Sequence, residues 1–120
     1  MLTAAEIITR VDEDKLNAYN TEQKIRWIDY VNKKAYLLGL KGEEETYTPI
    51  TQLTDELLIG EPYDQAYDYY IYSKIDLLNN EITNYNNSAL LYNTTFSEYI
   101  KAMIRLGHLE KQPTFKNIEP

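Results

Sequence analysis

The hydrophobic and polar positions along the chain repeat with the period of an α-helix in three stretches. In the first, Thr3 and Glu6 have the spacing of a capping box, in which each side chain bonds to the backbone of the other. Apolar residues at three- and four-residue spacings then predict helices over residues 3–13 and 22–38. The apolar stripe of the second helix consists of Ile25, Ile28, Val31, Ala35 and Leu38.

The third stretch carries the longest pattern. Apolar and aromatic residues alternate at spacings of four and three from Ile71 to Leu106, which predicts helix over residues 62–106. A straight helix drifts by about 20° per heptad against such a repeat, and asparagine is a weak helix former. Two alternatives remain open: one long helix, kinked, which the unbroken stripe favours, and an antiparallel hairpin broken near residues 84–88.

The segment at residues 41–61 lacks helical periodicity. Its β-branched residues around Pro49 favour a loop or a short edge strand, because proline cannot donate to a central strand. The predicted fold class is therefore mainly α: a small bundle of two N-terminal helices, an irregular or short-strand segment and one long C-terminal helix, kinked or folded as a hairpin. Residues 1–106 form one domain, and residues 107–120, with two prolines and no periodicity, are predicted to be a flexible arm.

Composition narrows the chemistry. The chain of 120 residues has no cysteine and one histidine, His108, so thiolate chemistry and histidine-rich metal sites are excluded. Its formal net charge of −7 argues against a dedicated nucleic-acid reader, which normally presents a basic face. No apolar run approaches the roughly 20 residues of a membrane span, and the N-terminus lacks the pattern of a secretory signal. We therefore expect a soluble, cytoplasmic chain.

No catalytic constellation is visible in the sequence. The carboxylate runs at residues 12–14 and 43–45 are consecutive, so their side chains do not converge on one point. The four glycines are scattered and form no phosphate-binding loop. We therefore predict no enzyme activity, no cofactor, and no catalytic, cofactor-binding or metal-binding residue.

Twelve tyrosines make aromatic side chains the main candidates for contacts. Trp27, Tyr63, Tyr67 and Tyr70 are candidate anchors, either in the core of the chain or between subunits, because tyrosine and tryptophan combine a large apolar body with a polar tip. The core is the favoured position for Trp27. For Tyr67 and Tyr70 the sequence does not separate the two positions.

A polar stripe accompanies the third apolar stretch. Asp76, Asn80, Asn84 and Asn87 lie one turn apart if the helix is continuous. The simpler interpretation is a solvent-exposed face. The alternative is a set of hydrogen bonds to a neighbouring subunit, which would set its register.

Short motifs follow one another in order across residues 5–96. In the N-terminal half the motifs are Arg10-Val11-Asp12-Glu13, Asn17-Ala18-Tyr19, Glu22-Gln23-Lys24 and Trp27-Ile28. Further on they are Asp55-Glu56-Leu57-Leu58, Glu61-Pro62-Tyr63-Asp64, Tyr67, Tyr70, Ser73-Lys74-Ile75-Asp76, Asn80-Glu81-Ile82 and Tyr85-Asn86-Asn87-Ser88. In the order and spacing of these motifs the sequence resembles a family of small proteins of tailed bacteriophages and prophages of low-GC bacteria.

The resemblance implies a function in virion assembly. Proteins of this kind are interpreted as helical head–tail connector (adaptor or head completion) proteins, located in the virion and in the host cytoplasm during assembly. The implied partners are the portal protein, a tail-side connector or stopper protein and further copies in a ring, commonly of twelve, whose channel DNA traverses without sequence-specific binding; no membrane is involved. Two alternatives remain: a phage or prophage accessory protein that binds one protein partner, and a coiled-coil dimer scaffold.

Overall fold

A computed structural model describes residues 1–107, and within them the protein is a small bundle of four α-helices. The helices are α1 (Ala4–Asp14), α2 (Thr21–Lys34), α3 (Gln65–Leu78) and α4 (Ile82–Arg105), with a π-helical turn (Ala35–Gly39) after α2 and a 3-10 turn (Glu44–Thr46). The described part of the chain contains an isolated antiparallel bridge between Thr3 and Glu56 but no strand. The mainly α fold class is confirmed.

The first two helices begin where local hydrogen bonds can satisfy their leading N–H groups. Glu6 N donates to Thr3 Oγ1 at 3.4 Å, and Thr3 N donates to Glu6 Oε1 at 2.9 Å, which completes the predicted capping box. At α2 the N-cap is Asn20, because Gln23 N donates to the Asn20 side chain at 2.8 Å. Both helices lie close to their predicted positions.

The long third stretch folds back on itself as a helical hairpin. At the end of α3, Asn80 adopts the left-handed conformation, with φ of 61°, which asparagine tolerates better than other residues with a Cβ atom. Asn80 N donates to Leu77 O at 3.1 Å, and Glu81 N donates to Asp76 O at 2.8 Å. These are the two bonds of a Schellman motif, which ends a helix by satisfying its last carbonyls.

The favoured expectation of one long helix over residues 62–106 is therefore wrong, and the hairpin alternative is correct in kind. The break lies at residues 79–81, upstream of the expected 84–88, and α3 begins at Gln65 rather than at Pro62. α3 packs along α4, so Ile71 and Ile75 from one half of the stripe and Tyr92, Phe96 and Tyr99 from the other half share one core. Gly107 ends the described chain; the rest of the predicted arm, residues 108–120, lies outside the described residues.

The segment between the turn after α2 and α3 is irregular but packed. Ile50, Leu57 and Ile59 are buried in the core. Side chains of α2 hold its backbone: Ile50 N donates to Asp29 Oδ1 at 2.8 Å, and Leu58 N donates to the carboxamide oxygen of Asn32 at 2.9 Å. The expected loop is correct: no strand forms around Pro49, and the isolated bridge of this segment joins Glu56 to Thr3.

Candidate functional site

Six aromatic rings form a continuous row that joins α2, α3 and α4. Neighbouring rings lie within the range in which aromatic pairs attract, each contributing about 0.5–1.5 kcal/mol beyond area burial. The successive centroid distances are 4.9 Å for Tyr30–Tyr70, 5.2 Å for Tyr70–Tyr92, 5.7 Å for Tyr92–Phe96, 6.0 Å for Phe96–Tyr99 and 6.3 Å for Tyr99–Tyr63.

Two of the sequence-predicted anchors lie inside the chain. Trp27 is buried and meets the edge of Tyr19 at a centroid distance of 5.7 Å. Tyr67 is fully buried, and its hydroxyl donates to Asn32 Oδ1 at 2.6 Å while accepting from Ile59 N at 3.1 Å. Both side chains are therefore buried in the core of the monomer.

The other two aromatic anchors belong to the row. Tyr70 is half-buried and stacks on Tyr30 at an interplanar angle of 15°. Burial, together with the neighbouring Tyr30 and Tyr85, raises the pKa of Tyr70 to about 12. Tyr63 is half-buried at the far end of the row, against Tyr99.

Asp76 does not lie on an exposed polar stripe. It is fully buried, and one carboxylate oxygen accepts a hydrogen bond from Ser88 Oγ of α4 at 2.8 Å. The other oxygen forms an ion pair with Lys15 Nζ at 2.9 Å. It makes no hydrogen bond in the described part of the chain. Asp76 thus ties α3 to α4 and to the end of α1.

The remaining three residues of the predicted stripe are exposed: Asn80, Asn84 and Asn87. Because the chain turns at residues 79–81, they do not continue the helix face that carries Asp76. The structure therefore does not bring the predicted stripe together. A contact of the three asparagines with a partner stays a prediction.

Lys34 is a half-buried charged residue that no pattern in the sequence indicates as a contact residue. Lys34 Nζ lies 4.9 Å from the ring centroid of Phe96, 5.4 Å from Tyr92 and 5.6 Å from Tyr30. No carboxylate of residues 1–107 lies within ion-pair distance of it. Burial lowers the pKa of Lys34. Its ammonium is thus held by aromatic faces, which attract cations but leave its N–H donors available.

Lys34 stands at the wall of a groove between the end of α2 and α4, which we call the α2–α4 groove. The groove has a volume of about 470 Å³ and no acidic side chain in its lining. Tyr92 also borders it, and the Tyr92 hydroxyl is buried without a hydrogen-bond partner among residues 1–107. The main lining side chains are Lys34, Leu38, Phe96, Ile100, Lys101 and Ile104.

A weak signal for this groove exists in the sequence. Phe96, Ile100 and Ile104 recur every four residues, one turn apart on the surface of α4. This row shares Phe96 with the buried heptad stripe and reaches the half-buried Ile100 and Ile104. Nothing in the sequence indicates that Lys34 faces them across the groove, because this contact depends on how α2 packs against α4.

Other chemistry is sparse in the described chain. Among residues 1–107, no three histidine, cysteine, aspartate or glutamate side chains are grouped so that they could hold a metal ion. None of the helices described is long and apolar enough to span a bilayer.

Fold and groove together define the class: a small α-helical bundle protein with an apolar surface groove flanked by lysines. Comparisons with protein-family models, with curated proteins and with solved structures find no match.

The partners implied by the resemblance need correction. The portal protein, the tail-side stopper and the ring of copies find no support in these comparisons. In addition, Trp27, Tyr67 and Asp76, for each of which a contact between subunits was one of two alternatives, are buried in the monomer. We therefore withdraw this set of partners.

Proposed function

We propose that the protein is a non-catalytic structural part of a tailed-phage virion, of the head–tail connector class. The resemblance over residues 5–96 suggests this class, and the helical fold agrees with what the resemblance implies. Its place of action is then the virion, and the host cytoplasm during assembly.

One observation from the geometry supports an assembly part in particular. α4 fills the core with an inner stripe of Tyr92, Phe96 and Tyr99, yet it also presents large apolar side chains to solvent. Leu90 and Leu91, neighbours on α4, are 64% and 47% exposed. Adjacent exposed apolar side chains are the kind of surface through which proteins bind other proteins.

The experiment is to ask whether the protein is part of the particle. Virions of the phage or induced prophage that encodes it would be purified and their peptides quantified by mass spectrometry, beside a nonsense mutant and its complemented strain. We expect the protein in purified virions at a fixed ratio to the capsid protein. The nonsense mutant should accumulate DNA-filled heads and separate tails, which complementation joins.

The second candidate function is an accessory protein that binds one protein partner, and the α2–α4 groove favours it. The same experiment separates the two. A protein that is absent from virions, in a mutant whose heads and tails still join, would be an accessory protein and not a connector.

A further inference from the structure

We infer that the α2–α4 groove binds an acidic amphipathic helix of another protein, with carboxylates of that helix placed against Lys34 and Lys101. This inference goes beyond the virion role, since the groove can be tested with the isolated protein. It can fail while the virion role stands, and the reverse is equally possible.

The shape of the groove fits a helix. Phe96, Ile100 and Ile104 form one wall in an i, i+4, i+8 row on α4, which spans about 12 Å at 1.5 Å per residue. Leu38, 50% exposed, stands on the opposite side, in the turn after α2. Rows at four-residue spacing leave grooves that accept the side-chain ridge of a second helix. An amphipathic helix of two to three turns therefore matches the row.

The positive charge of the groove lining favours an acidic helix. The two charged side chains that line the groove are Lys34 and Lys101, and neither has a carboxylate within ion-pair distance among residues 1–107. The net charge of the chain is −7, but charges beyond a Debye length of about 8 Å at physiological salt are screened. The two lysines of the lining are therefore the charges nearest to a docked helix, and they favour carboxylates over ammonium groups.

The surroundings of the Lys34 ammonium also favour an anionic partner. Its ammonium is half-buried over three aromatic rings, and burial lowers its pKa. A desolvated cation without an anionic partner gains more from a carboxylate than an exposed lysine does, because charge-assisted hydrogen bonds strengthen as the local dielectric falls. Tyr92, whose ring centroid lies 5.4 Å from Lys34 Nζ, carries a second polar group, a hydroxyl without a hydrogen-bond partner among residues 1–107.

The test uses the full chain and three synthetic fluorescein-labelled peptides of about four helical turns. The first carries leucines at four-residue spacing flanked by glutamates, the second replaces the glutamates by lysines, and the third replaces the leucines by alanines. Binding is measured by fluorescence anisotropy and located by amide chemical-shift changes. We expect the first peptide to bind roughly tenfold or more tightly than either of the others, with shifts confined to the groove.

Charge reversal provides the sharpest variant. The double substitution Lys34→Glu/Lys101→Glu should reverse the preference from the glutamate to the lysine peptide. The matched control, Arg26→Glu/Lys41→Glu, has the same net charge but changes two exposed residues outside the groove lining, and it should keep the original preference. Lys101→Glu alone, at an exposed position, should weaken binding of the glutamate peptide even if the double variant folds poorly.

The apolar wall is tested in the same way. Ile100→Ala should weaken binding of the glutamate peptide several-fold, whereas Leu90→Ala, at an exposed apolar residue outside the groove lining, should not. Equal binding of the glutamate and lysine peptides, or shifts mapped elsewhere, would overturn the inference. So would binding to vesicles of phosphatidylcholine and phosphatidylserine that is lost on charge reversal while no peptide binds.

Discussion

The hydroxyl of Tyr67 donates a hydrogen bond to Asn32 Oδ1 at 2.6 Å across the buried contact between α3 and α2. The same hydroxyl accepts from Ile59 N, and the same carboxamide oxygen accepts from Leu58 N. Two side chains thus satisfy two consecutive backbone N–H groups of an irregular segment. This relationship explains how residues without secondary structure remain in the core, where an unpaired N–H group would be costly.

Tyr67→Phe should lower the free energy of unfolding by about 1–3 kcal/mol, because it leaves Ile59 N buried without its acceptor and removes one of the two donors to Asn32 Oδ1. Urea unfolding followed by circular dichroism measures the change. Tyr69→Phe is the matched control: its hydroxyl bonds to Gln65 at the surface, so the loss should stay below about 0.5 kcal/mol. Equal losses in the two variants would show that the buried network contributes nothing specific.

Ser88→Ala should destabilise the hairpin by about 1–3 kcal/mol, because the fully buried carboxylate of Asp76 loses its donor. Ser97→Ala, at an exposed position of the same helix, should be neutral or slightly stabilising, since alanine is the better helix former. Thermal unfolding of both variants makes the comparison. An unchanged melting temperature in Ser88→Ala would mean that Lys15 alone compensates the carboxylate.

Arg10 neutralises two buried carboxylates at the start of α3, one on the residue before the helix and one in its first turn. Its guanidinium lies 2.9 Å from Asp64 Oδ2 and 2.6 Å from Asp68 Oδ1. Arg10→Met should lower the free energy of unfolding by about 3 kcal/mol at pH 7; the value is at the low end for a broken buried pair because 35% of the Arg10 side chain is exposed. Adding Asp68→Asn to Arg10→Met should recover part of that loss.

The pH dependence of Arg10→Met has a definite sign. Burial raises the pKa of Asp68 above its ordinary 3.8, and hydrogen bonds from Arg10 oppose the rise. Without Arg10 the folded-state pKa of Asp68 rises further. Protonation of Asp68 then stabilises the folded state, fully below pH 3.8, and this stabilisation is lost as the pH rises through the folded-state pKa of Asp68. The deficit of Arg10→Met relative to wild type should therefore shrink from pH 7 toward pH 4 in urea titrations. A deficit that grows on acidification would contradict this assignment.

Gly39 is required by packing rather than by its backbone conformation. A Cβ atom at Gly39 would lie 2.5 Å from Tyr99 Cε2 in the core, closer than van der Waals contact allows. Gly39→Ala should therefore destabilise the protein by about 1–3 kcal/mol through overpacking. Gly60→Ala, where a Cβ atom would meet no neighbour within 4 Å, is the control and should change stability by less than about 0.5 kcal/mol. Differential scanning calorimetry of the two variants measures the two changes in stability.

The amino-acid sequence determined the features that depend on neighbouring residues along the chain. The capping box of Thr3 and Glu6 and the apolar stripes predicted α1 and α2 to within a few residues, because a helix is satisfied by bonds within four residues. The absence of periodicity at residues 41–61 likewise predicted the irregular segment. Local composition also supplied the hairpin as an alternative, although it placed the break too late.

Tertiary structure decided the features that join distant residues. The stripe from Ile71 to Leu106 is equally compatible with one helix and with two, and only burial of one half against the other selects the turn at residues 79–81. Asp76 became internal because Lys15 and Ser88 come from other helices to meet its charge. The α2–α4 groove depends in the same way on packing that brings Lys34 of α2 to the surface of α4. The physical reason is that a buried charge or apolar face is stable only next to partner side chains. Those partners are distant in sequence, and folding brings them together.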